Sequence, residues 1–359
     1  MTRIYDARGN IYAVVTPQAL RALGVDIPDT AKSAAASRRS WTEKAVQASG
    51  VSGSDVSGGN VGYEAHVVCP SRASSRQHTQ NRSAEPSRQA STDGLLIGPF
   101  QDAAPYDLLI VNTDGTLAER SGNGLTIFSQ ALTDSGHVSR DQTFTLMVHH
   151  DKADSPSPVR TSVQPTTLNG SAGFWLDLGA PHFGPEAVSA RSAGLACVTF
   201  NGAPASCVER LKDVDPHWAH SVFVRIGNPH CVTLVSNAEH LPSFIELHAP
   251  ALHEPLARIA FSDDDVGLGD PCPAGVNLQW ACVSAPNRIE ARVFERGEGV
   301  TASSGTSASA VACAAWRTRL VQAGLVEVEM PGGTAPVRLT EDKHVLSNVA
   351  LFGVAHLKA

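Results

Sequence analysis

Two turns rich in serine and glycine lead into helices of small residues in this 359-residue chain. They are SGNGLTIFSQAL, which begins at Ser121, and SSGTSASAVACAAWRTRL, which begins at Ser303. A helix N-terminus presents unpaired N–H groups and a positive dipole end, and glycine lets an anion approach them. For one such turn alone, simple capping by serine is the more common explanation. Two facing turns would hold the carboxylate of an amino acid and stabilise the charge that spreads onto it when the α-proton leaves.

Further polar residues lie at the ends of apolar strand patterns around these turns. They are Asn112, Asn228, His230, Asn277 and the pair Glu295-Arg296. Taken singly, an asparagine is more typical of a turn, a lone histidine of a structural residue, and a Glu-Arg pair equally of a structural ion pair. None of them decides a function without the others.

The elements that position these residues follow a repeated pattern of many short strands and one central helix in each half of the chain. The dipeptide Gly9-Asn10 of the first half recurs as Gly227-Asn228 in the second, each before its own glycine-rich helix start. The repetition predicts a duplicated α+β fold with pseudo-twofold symmetry. We expect the site to lie where the two helix N-termini face each other.

The length of the chain predicts two domains of ordinary size. We place an N-terminal domain at residues 1–168, a C-terminal domain at residues 169–346, and a final strand within residues 347–359 that returns to the N-terminal domain. Residues 31–91 are rich in Ser, Ala, Gly, Arg and Gln, which predicts a flexible insertion. Within it, GYEAHVVC is a stretch with a strand pattern.

The charge, apolar runs and cysteines of the chain argue against several classes of binding partner. The formal net charge is −7 without a concentrated charged tract, which argues against nucleic acid and anionic membranes. The chain has no apolar run of about twenty residues and no signal-peptide pattern at its N-terminus, so we expect a cytoplasmic protein. Its seven cysteines are scattered without a CxxC pair or zinc spacing, which predicts reduced thiols and no metal.

Three segments occur in the order and local spacing of a known family. VNTDGTLAERSGNGL resembles Asn-x-Asp-Gly-Ser followed by Cys-Gly-Asn-Gly, and IGNPHCV resembles Met-Gly-Asn-Pro-His. VFERGEGVTASSGTSASA resembles Glu-Arg-Gly-x-Gly-Glu-Thr-x-x-Cys-Gly-Thr-Gly. Together with YDARGNIYAVV at the start and everything from about residue 95 onward, the chain resembles the diaminopimelate epimerase family. The resemblance implies two similar domains, each with a central helix wrapped by mixed β-sheet.

The resemblance also implies a PLP-independent racemase or epimerase of lysine biosynthesis that uses no cofactor. Gly122, Asn123, Gly305 and Thr306 would hold the reacting carboxylate. The other polar groups of the substrate would be held by Asn10, Asn112, Asn228, Asn277, Glu295 and Arg296. A guanidinium suits a second carboxylate and a carboxylate suits an ammonium, so the implied partner is an amino acid charged at both ends. Whether the protein forms a homodimer is left open by the sequence.

The two catalytic cysteines of the family correspond to Ser121 and Ser304, and their activating partners correspond to His230 and Glu295. A neighbouring His or Glu can ionise a thiol, whose pKa is about 8.5, but an alkoxide lies far outside that range. The chain also departs from the family pattern at Val300, where the motif has Glu, and in GTSAS after Gly305. The phenazine-pathway isomerase of the same fold works without the cysteines and uses a carboxylate.

Three interpretations of the serines therefore stay open. In the first, an amino-acid isomerase moves the proton with Glu295 or His230, and Ser121 and Ser304 only position it. In the second, a descendant of the fold binds amino acids without catalysis or acts as a lyase or tautomerase. In the third, one serine is a nucleophile paired with His230, which the absence of a Gly-x-Ser-x-Gly elbow disfavours.

Overall fold

In a computed structural model the chain is described over residues 2–50, 92–152, 155–262 and 268–358. The first half contains strands β1 (Arg3–Ala7), β2 (Asn10–Val15), β3 (Gly94–Ile97), β4 (Tyr106–Asn112), β5 (Phe144–Val148), β6 (Val159–Leu168) and β7 (Ser171–Gly179). Its helices are α1 (Pro17–Ala22), α2 (Ala31–Ala36), α3 (Thr42–Ala48) and α4 (Gly122–Asp134).

The remainder contains strands β8 (His182–Phe183), β9 (Leu195–Phe200), β10 (Ala203–Val208), β11 (Ser221–Ile226), β12 (Asn228–Leu234), β13 (Asn277–Ala285), β14 (Arg288–Glu295), β15 (Gly299–Thr301), β16 (Gly324–Met330), β17 (Gly333–Asp342), β18 (Val345–Gly353) and β19 (His356–Leu357). Its helices are α5 (Glu209–Val214), α6 (Phe244–His248), α7 (Pro250–Ala260) and α8 (Gly305–Arg317). The fold is α+β, as predicted, with mixed strand pairing in both halves.

The two halves repeat one sequence of strand pairings. In the first, β1–β2 is antiparallel, β2–β3 parallel, β3–β4 antiparallel, β4–β5 parallel, and β5–β6 and β6–β7 antiparallel. The same order recurs along β11, β12, β13, β14, β16, β17 and β18. Since α4 follows β4 and α8 follows the β14–β15 hairpin, each repeat also carries its central helix at the same place. The pattern indicates a duplicated fold with pseudo-twofold symmetry.

The last strands of the two repeats, β7 and β18, pair antiparallel with each other and join the halves. The domain boundary expected between residues 168 and 169 falls in the turn of the β6–β7 hairpin, and the first repeat itself continues to the end of β7. At the end of the chain, β19 pairs with β1 of the first half, with Tyr5 opposite Leu357.

Both central helices are buried along most of their length because their residues are small or apolar. Hydroxyl groups of both helices donate within their own helix, Thr126 to the carbonyl of Gly122 and Ser309 to that of Gly305. These hydroxyls can therefore be buried under the sheets with their hydrogen bonds made. Among the described residues, no helix combines the length and the apolar character that crossing a membrane would need.

Residues 31–50 depart from the flexible insertion that composition predicts. They form α2 and α3, with Trp41 between them only 1% exposed and its indole N–H donating to the carbonyl of Ala34 at 2.9 Å. The small side chains of Ala34 and Ala45 pack in the same apolar cluster as strands β3 and β4. A segment rich in alanine and serine resembles a flexible segment in composition. Here one buried tryptophan anchors it, and its alanines pack against the sheet. The remaining part of the expected insertion, residues 51–91 with GYEAHVVC, lies outside the described residues.

Candidate functional site

The N-termini of α4 and α8 meet at the centre of the molecule. Ser121 and Ser304 are their N-caps, each in an extended conformation, and their Oγ atoms accept from the backbone N–H groups of Gly124 at 3.0 Å and Ser307 at 3.4 Å. A Cβ atom placed on Gly122 would lie 3.0 Å from the Cα of Gly305. Only glycine therefore allows the two helix starts to approach so closely.

A cavity of about 440 Å³ opens beside these helix starts. Most of the residues singled out in the sequence line it: Asn10, Asn112, Ser121, Gly122, Asn123, Asn228, Asn277, Glu295, Arg296, Ser304, Gly305 and Thr306. We call this cavity the cleft. Since residues from both repeats line it, the duplication of the fold creates the site.

His230 is the predicted site residue that is not among those lining the cleft. It is fully buried, and its Nδ1 lies 3.1 Å from the amide nitrogen of Gln279, which also donates to Ser307 in the first turn of α8. Burial and the positive charges of Arg296 and Arg225 lower the pKa of His230 to about 3, so the ring is neutral. Through Gln279, His230 is connected to the first turn of α8 on the side away from the cleft lining. Gln279, which connects His230 to α8, was not among the residues predicted from the sequence.

Glu295 stands beside Ser304 in the cleft. Burial raises the pKa of this carboxyl, while its interactions with the hydroxyls of Ser304 and Thr301 act in the opposite direction. The charge of Asp93 adds a smaller rise. A carboxyl with a raised pKa is a stronger base once ionised, so this position retains acid–base capacity although the neighbouring residue is not a thiol.

On the other helix start, the partner of Ser121 is a tyrosine that sequence reasoning missed. The hydroxyl of Tyr12 lies 3.4 Å from the Oγ of Ser121. Burial raises the pKa of Tyr12 well above its usual value, which keeps the phenol neutral. Alternate residues of a strand share a face, so the prediction of Asn10 as a site residue at the start of β2 could have been extended to Tyr12.

A network of side chains connects the first hairpin to both helices. The amide nitrogen of Asn123 donates to Asn10 at 2.5 Å and to Ser303 at 3.3 Å, and Ser303 donates to the carbonyl of Arg8 at 2.8 Å. The guanidinium of Arg8 donates to the side-chain oxygen of Asn123 at 3.1 Å. Asn123 is therefore held in place by residues from the first hairpin and from the segment before α8.

Arg8 also brings a positive charge close to the helix starts. Burial lowers its pKa to about 10, which still leaves it charged at neutral pH. Within the described ranges its partners are neutral oxygens, namely the side-chain oxygen of Asn123 and the carbonyls of Thr334 and Phe352, and no carboxylate forms an ion pair with it. An anion at the helix N-termini would therefore meet a cation that is not already neutralised.

The far side of the cleft is organised around Arg296. Its backbone N–H donates to Asn277 at 2.7 Å, and its guanidinium contacts the carbonyl of Ala274 at 3.0 Å and the carboxylate of Glu119 at 3.5 Å. Asn228 donates to the carbonyl of Arg120 at 3.2 Å. Asn112, on the first repeat, donates to the hydroxyl of Thr116 at 3.0 Å. The guanidinium that sequence reasoning assigned to a second substrate carboxylate is thus already engaged, by a glutamate that the sequence did not single out.

Three exposed carboxylates stand at the rim of the cleft. They belong to Asp93, Asp114 and Glu298, and we call them the acid rim. Desolvation by the walls of the cleft and repulsion by Glu295, Asp114 and Asp93 raise the pKa of Glu298 to about 7. Negative charge is therefore crowded at this edge.

Comparisons with known proteins place the chain among relatives of one family. Residues 222–353 match the family model described as diaminopimelate epimerase. A diaminopimelate epimerase from Synechococcus sp. is 30% identical over 258 residues, covering 70% of this chain and 78% of the relative. Diaminopimelate epimerase 2 from Nostoc sp. is 27% identical over 261 residues, covering 71% of this chain and 76% of the relative.

Two solved structures share the fold over the whole length of this chain. One is a phenazine biosynthesis protein of the PhzF family from Bacillus anthracis, with a TM-score of 0.57, 14% identity and 96% of that chain covered. The other is a hydroxyproline epimerase from Agrobacterium vitis with bound trans-4-hydroxy-L-proline, with a TM-score of 0.52, 13% identity and 90% of that chain covered. At this identity the likeness concerns the fold alone.

Proposed function

Because the chain belongs to the diaminopimelate epimerase family, we propose that it is a cofactor-independent isomerase that moves the α-proton of a small zwitterionic amino acid. The observation that carries the proposal is the meeting of two glycine-started helix N-termini in one cleft. The N–H groups of two helices converge there on a space suited to one carboxylate. When the α-proton leaves, negative charge spreads onto that carboxylate, and N–H groups already in place stabilise it without reorganisation.

Glu295 is the proposed base. It lines the cleft next to Ser304, and the rise that burial causes in its pKa makes its ionised form a better proton acceptor. Ser304 lacks an ionisable group in the physiological range, so its hydroxyl positions the carboxyl and caps α8. In this mechanism Glu295 takes the α-proton and returns a proton to the same carbon after exchange with solvent.

The opposite face of the substrate would meet Ser121 and Tyr12. The phenol of Tyr12 stays neutral because its pKa is raised, so it can donate a hydrogen bond but is a poor base. Inversion requires a proton donor and a proton acceptor on opposite faces, and here only one face carries a carboxyl. We therefore expect exchange of the α-proton with solvent to be faster than inversion of the centre.

The first test follows the α-proton of amino acids in deuterated buffer by NMR. We expect loss of the α-proton signal with the unaltered protein, a loss of exchange of on the order of 100-fold in Glu295→Gln, and substantial exchange in Ser304→Ala. Glu254→Gln, which removes an exposed carboxylate on α7, is the matched control and should exchange at the normal rate. Unchanged exchange in Glu295→Gln would remove Glu295 as the base.

A second candidate function is amino-acid binding without turnover. It is favoured by the use of both Ser121 and Ser304 as helix caps, a role that needs no chemistry. Calorimetric binding of an amino acid with no α-proton exchange in the unaltered protein would support this candidate. Serine nucleophilic catalysis with His230 has less support, because the contacts of that ring lie with Gln279 and it does not line the cleft.

A further inference from the structure

We propose that the cleft selects amino acids whose side chain ends in a cation, such as a terminal amine, over those whose side chain ends in a carboxylate. The inference rests on the proposed function for the position of the α-carboxylate at the helix starts. It concerns the other end of the substrate, and Glu119 and Glu298 are the residues that determine the specificity.

The cations that line the cleft are largely engaged already. Arg296 contacts Glu119 and the carbonyl of Ala274, and Arg120 donates to the carbonyls of Leu178 at 2.9 Å and Arg160 at 2.8 Å. A second substrate carboxylate that binds Arg296 would have to displace one of the contacts of its guanidinium. Lys152 is the remaining cation among the lining residues. The carboxylates of the same lining outnumber the cations: they are Asp93, Asp114, Glu119, Glu295 and Glu298, against Arg120, Lys152 and Arg296.

Glu119 is a buried carboxylate that lines the cleft and has one long ion pair. Its side chain is 3% exposed, and its recorded partner is the guanidinium of Arg296 at 3.5 Å. Charge-assisted hydrogen bonds are shorter, about 2.7–2.9 Å, so this contact is a weak one. Within the part of the chain that the structure describes, neither a hydrogen bond nor an ion pair reaches the second carboxylate oxygen, and the residue lines the cleft. A buried carboxylate is costly unless it is paired, so a cation entering the cleft would supply the missing partner.

The acid rim also favours a positively charged ligand, independently of Glu119. Glu298 has neither a hydrogen bond nor an ion pair within the described residues, and the carboxylates of Glu295, Asp114 and Asp93 repel its charge. A substrate carboxylate would add to this repulsion, whereas an ammonium would relieve it. Glu298 also occupies the position marked x in the family pattern Glu-Arg-Gly-x-Gly, while Val300 stands where the pattern has glutamate. The chain therefore places its negative charge at the mouth of the cleft.

The test uses ligands that lack one or both of the distal groups of diaminopimelate. Lysine keeps the distal amine and lacks the distal carboxylate, 2-aminopimelate keeps the carboxylate and lacks the amine, and norleucine lacks both. Dissociation constants are measured by calorimetry on the full chain. We expect lysine to bind at least about tenfold more tightly than 2-aminopimelate, as one charge-assisted hydrogen bond implies.

Two variants assign the preference to residues. Glu119→Gln and Glu298→Gln should each weaken lysine binding by about threefold to tenfold and leave norleucine binding unchanged, with Glu254→Gln as the control that changes neither. Glu298 is exposed, so its variant keeps the test valid even if Glu119→Gln folds poorly. Equal or tighter binding of 2-aminopimelate, or an unchanged lysine preference in folded variants, overturns the inference. Preferential lysine binding without α-proton exchange would support this inference and contradict the proposed function, and exchange without lysine preference would do the reverse.

Discussion

Glu295 and Glu298 lie three residues apart on one hairpin and meet different surroundings. Glu295 ends β14 inside the cleft, while Glu298 lies in the turn before β15 and is exposed at the rim. Burial raises the pKa of both carboxyls, and the pKa of Glu298 reaches about 7 because three other carboxylates add their repulsion. In the proposed mechanism these two glutamates have different roles, with Glu295 near the reacting carbon and Glu298 near the mouth of the cleft.

The raised pKa of Glu298 predicts a pH dependence of stability. A pKa of about 7 in the folded state lies above the ordinary glutamate value of about 4.3 in the unfolded state, so the folded protein binds more protons between these values. The contribution of Glu298 to the free energy of unfolding should therefore fall as the pH rises from about 5 to 8. This contribution is absent in Glu298→Gln, so the variant should be more stable than the unaltered protein at pH 8 and similar to it near pH 4.

Melting temperatures measured across that pH range check this prediction. Glu254→Gln should melt with the same pH dependence as the unaltered protein. An identical dependence in Glu298→Gln would mean that Glu298 ionises normally in the folded protein, and the electrostatic account of the acid rim would then fail.

At the scale of elements, the approach of α4 and α8 depends on two glycines. A Cβ atom on Gly305 would lie 2.5 Å from the Cδ2 of Leu351 and 3.1 Å from the Cα of Gly122. The side chain of an alanine at position 305 would therefore push the two helix starts apart and away from Leu351 on β18. The proposed carboxylate site requires that close approach.

We expect Gly305→Ala to lower the free energy of unfolding by about 1–3 kcal/mol, as overpacking of a core does. It should also weaken amino-acid binding, because the two sets of N–H groups no longer converge. Chemical denaturation and calorimetry measure the two effects. Gln130→Ala, on a more exposed part of α4, controls for a substitution in the same pair of helices. Full stability and unchanged binding in Gly305→Ala would show that the helix starts do not need to meet.

The sequence predicted the elements that carry strong local signals. The serine and glycine turns marked the starts of α4 and α8, and the repeated Gly-Asn dipeptide indicated the duplication. It did not predict α2 and α3, since a composition of alanine and serine resembles a flexible segment and a single residue, Trp41, provides the anchor. Nor could local patterns separate His230, which packs behind α8, from residues that line the cleft. Burial of this kind is set by the pairing of β12 with β13, which brings Gln279 alongside.

At the scale of the whole molecule, the duplication explains why one cleft contains two similar halves. Each repeat contributes a capped helix start, and the pairing of β7 with β18 joins the sheets of the two repeats. The first hairpin adds Arg8, Asn10 and Tyr12 to the same place. The framework of the proposed carboxylate site is thus symmetric, and the groups proposed for proton transfer are not: Glu295 stands on one side and a neutral phenol on the other.

The most direct test of this account compares α-proton exchange with inversion of the α-carbon in the unaltered protein and in the double variant Ser121→Cys and Ser304→Cys. Diaminopimelate stereoisomers and lysine are incubated in deuterated buffer, with exchange followed by NMR and inversion by chiral chromatography. The unaltered protein should exchange the proton faster than it inverts the centre. The double variant should gain inversion by on the order of 100-fold, because two ionisable thiols then face the carbon from opposite sides. If both proteins are folded and neither of them exchanges the α-proton or inverts the α-carbon, the account is contradicted.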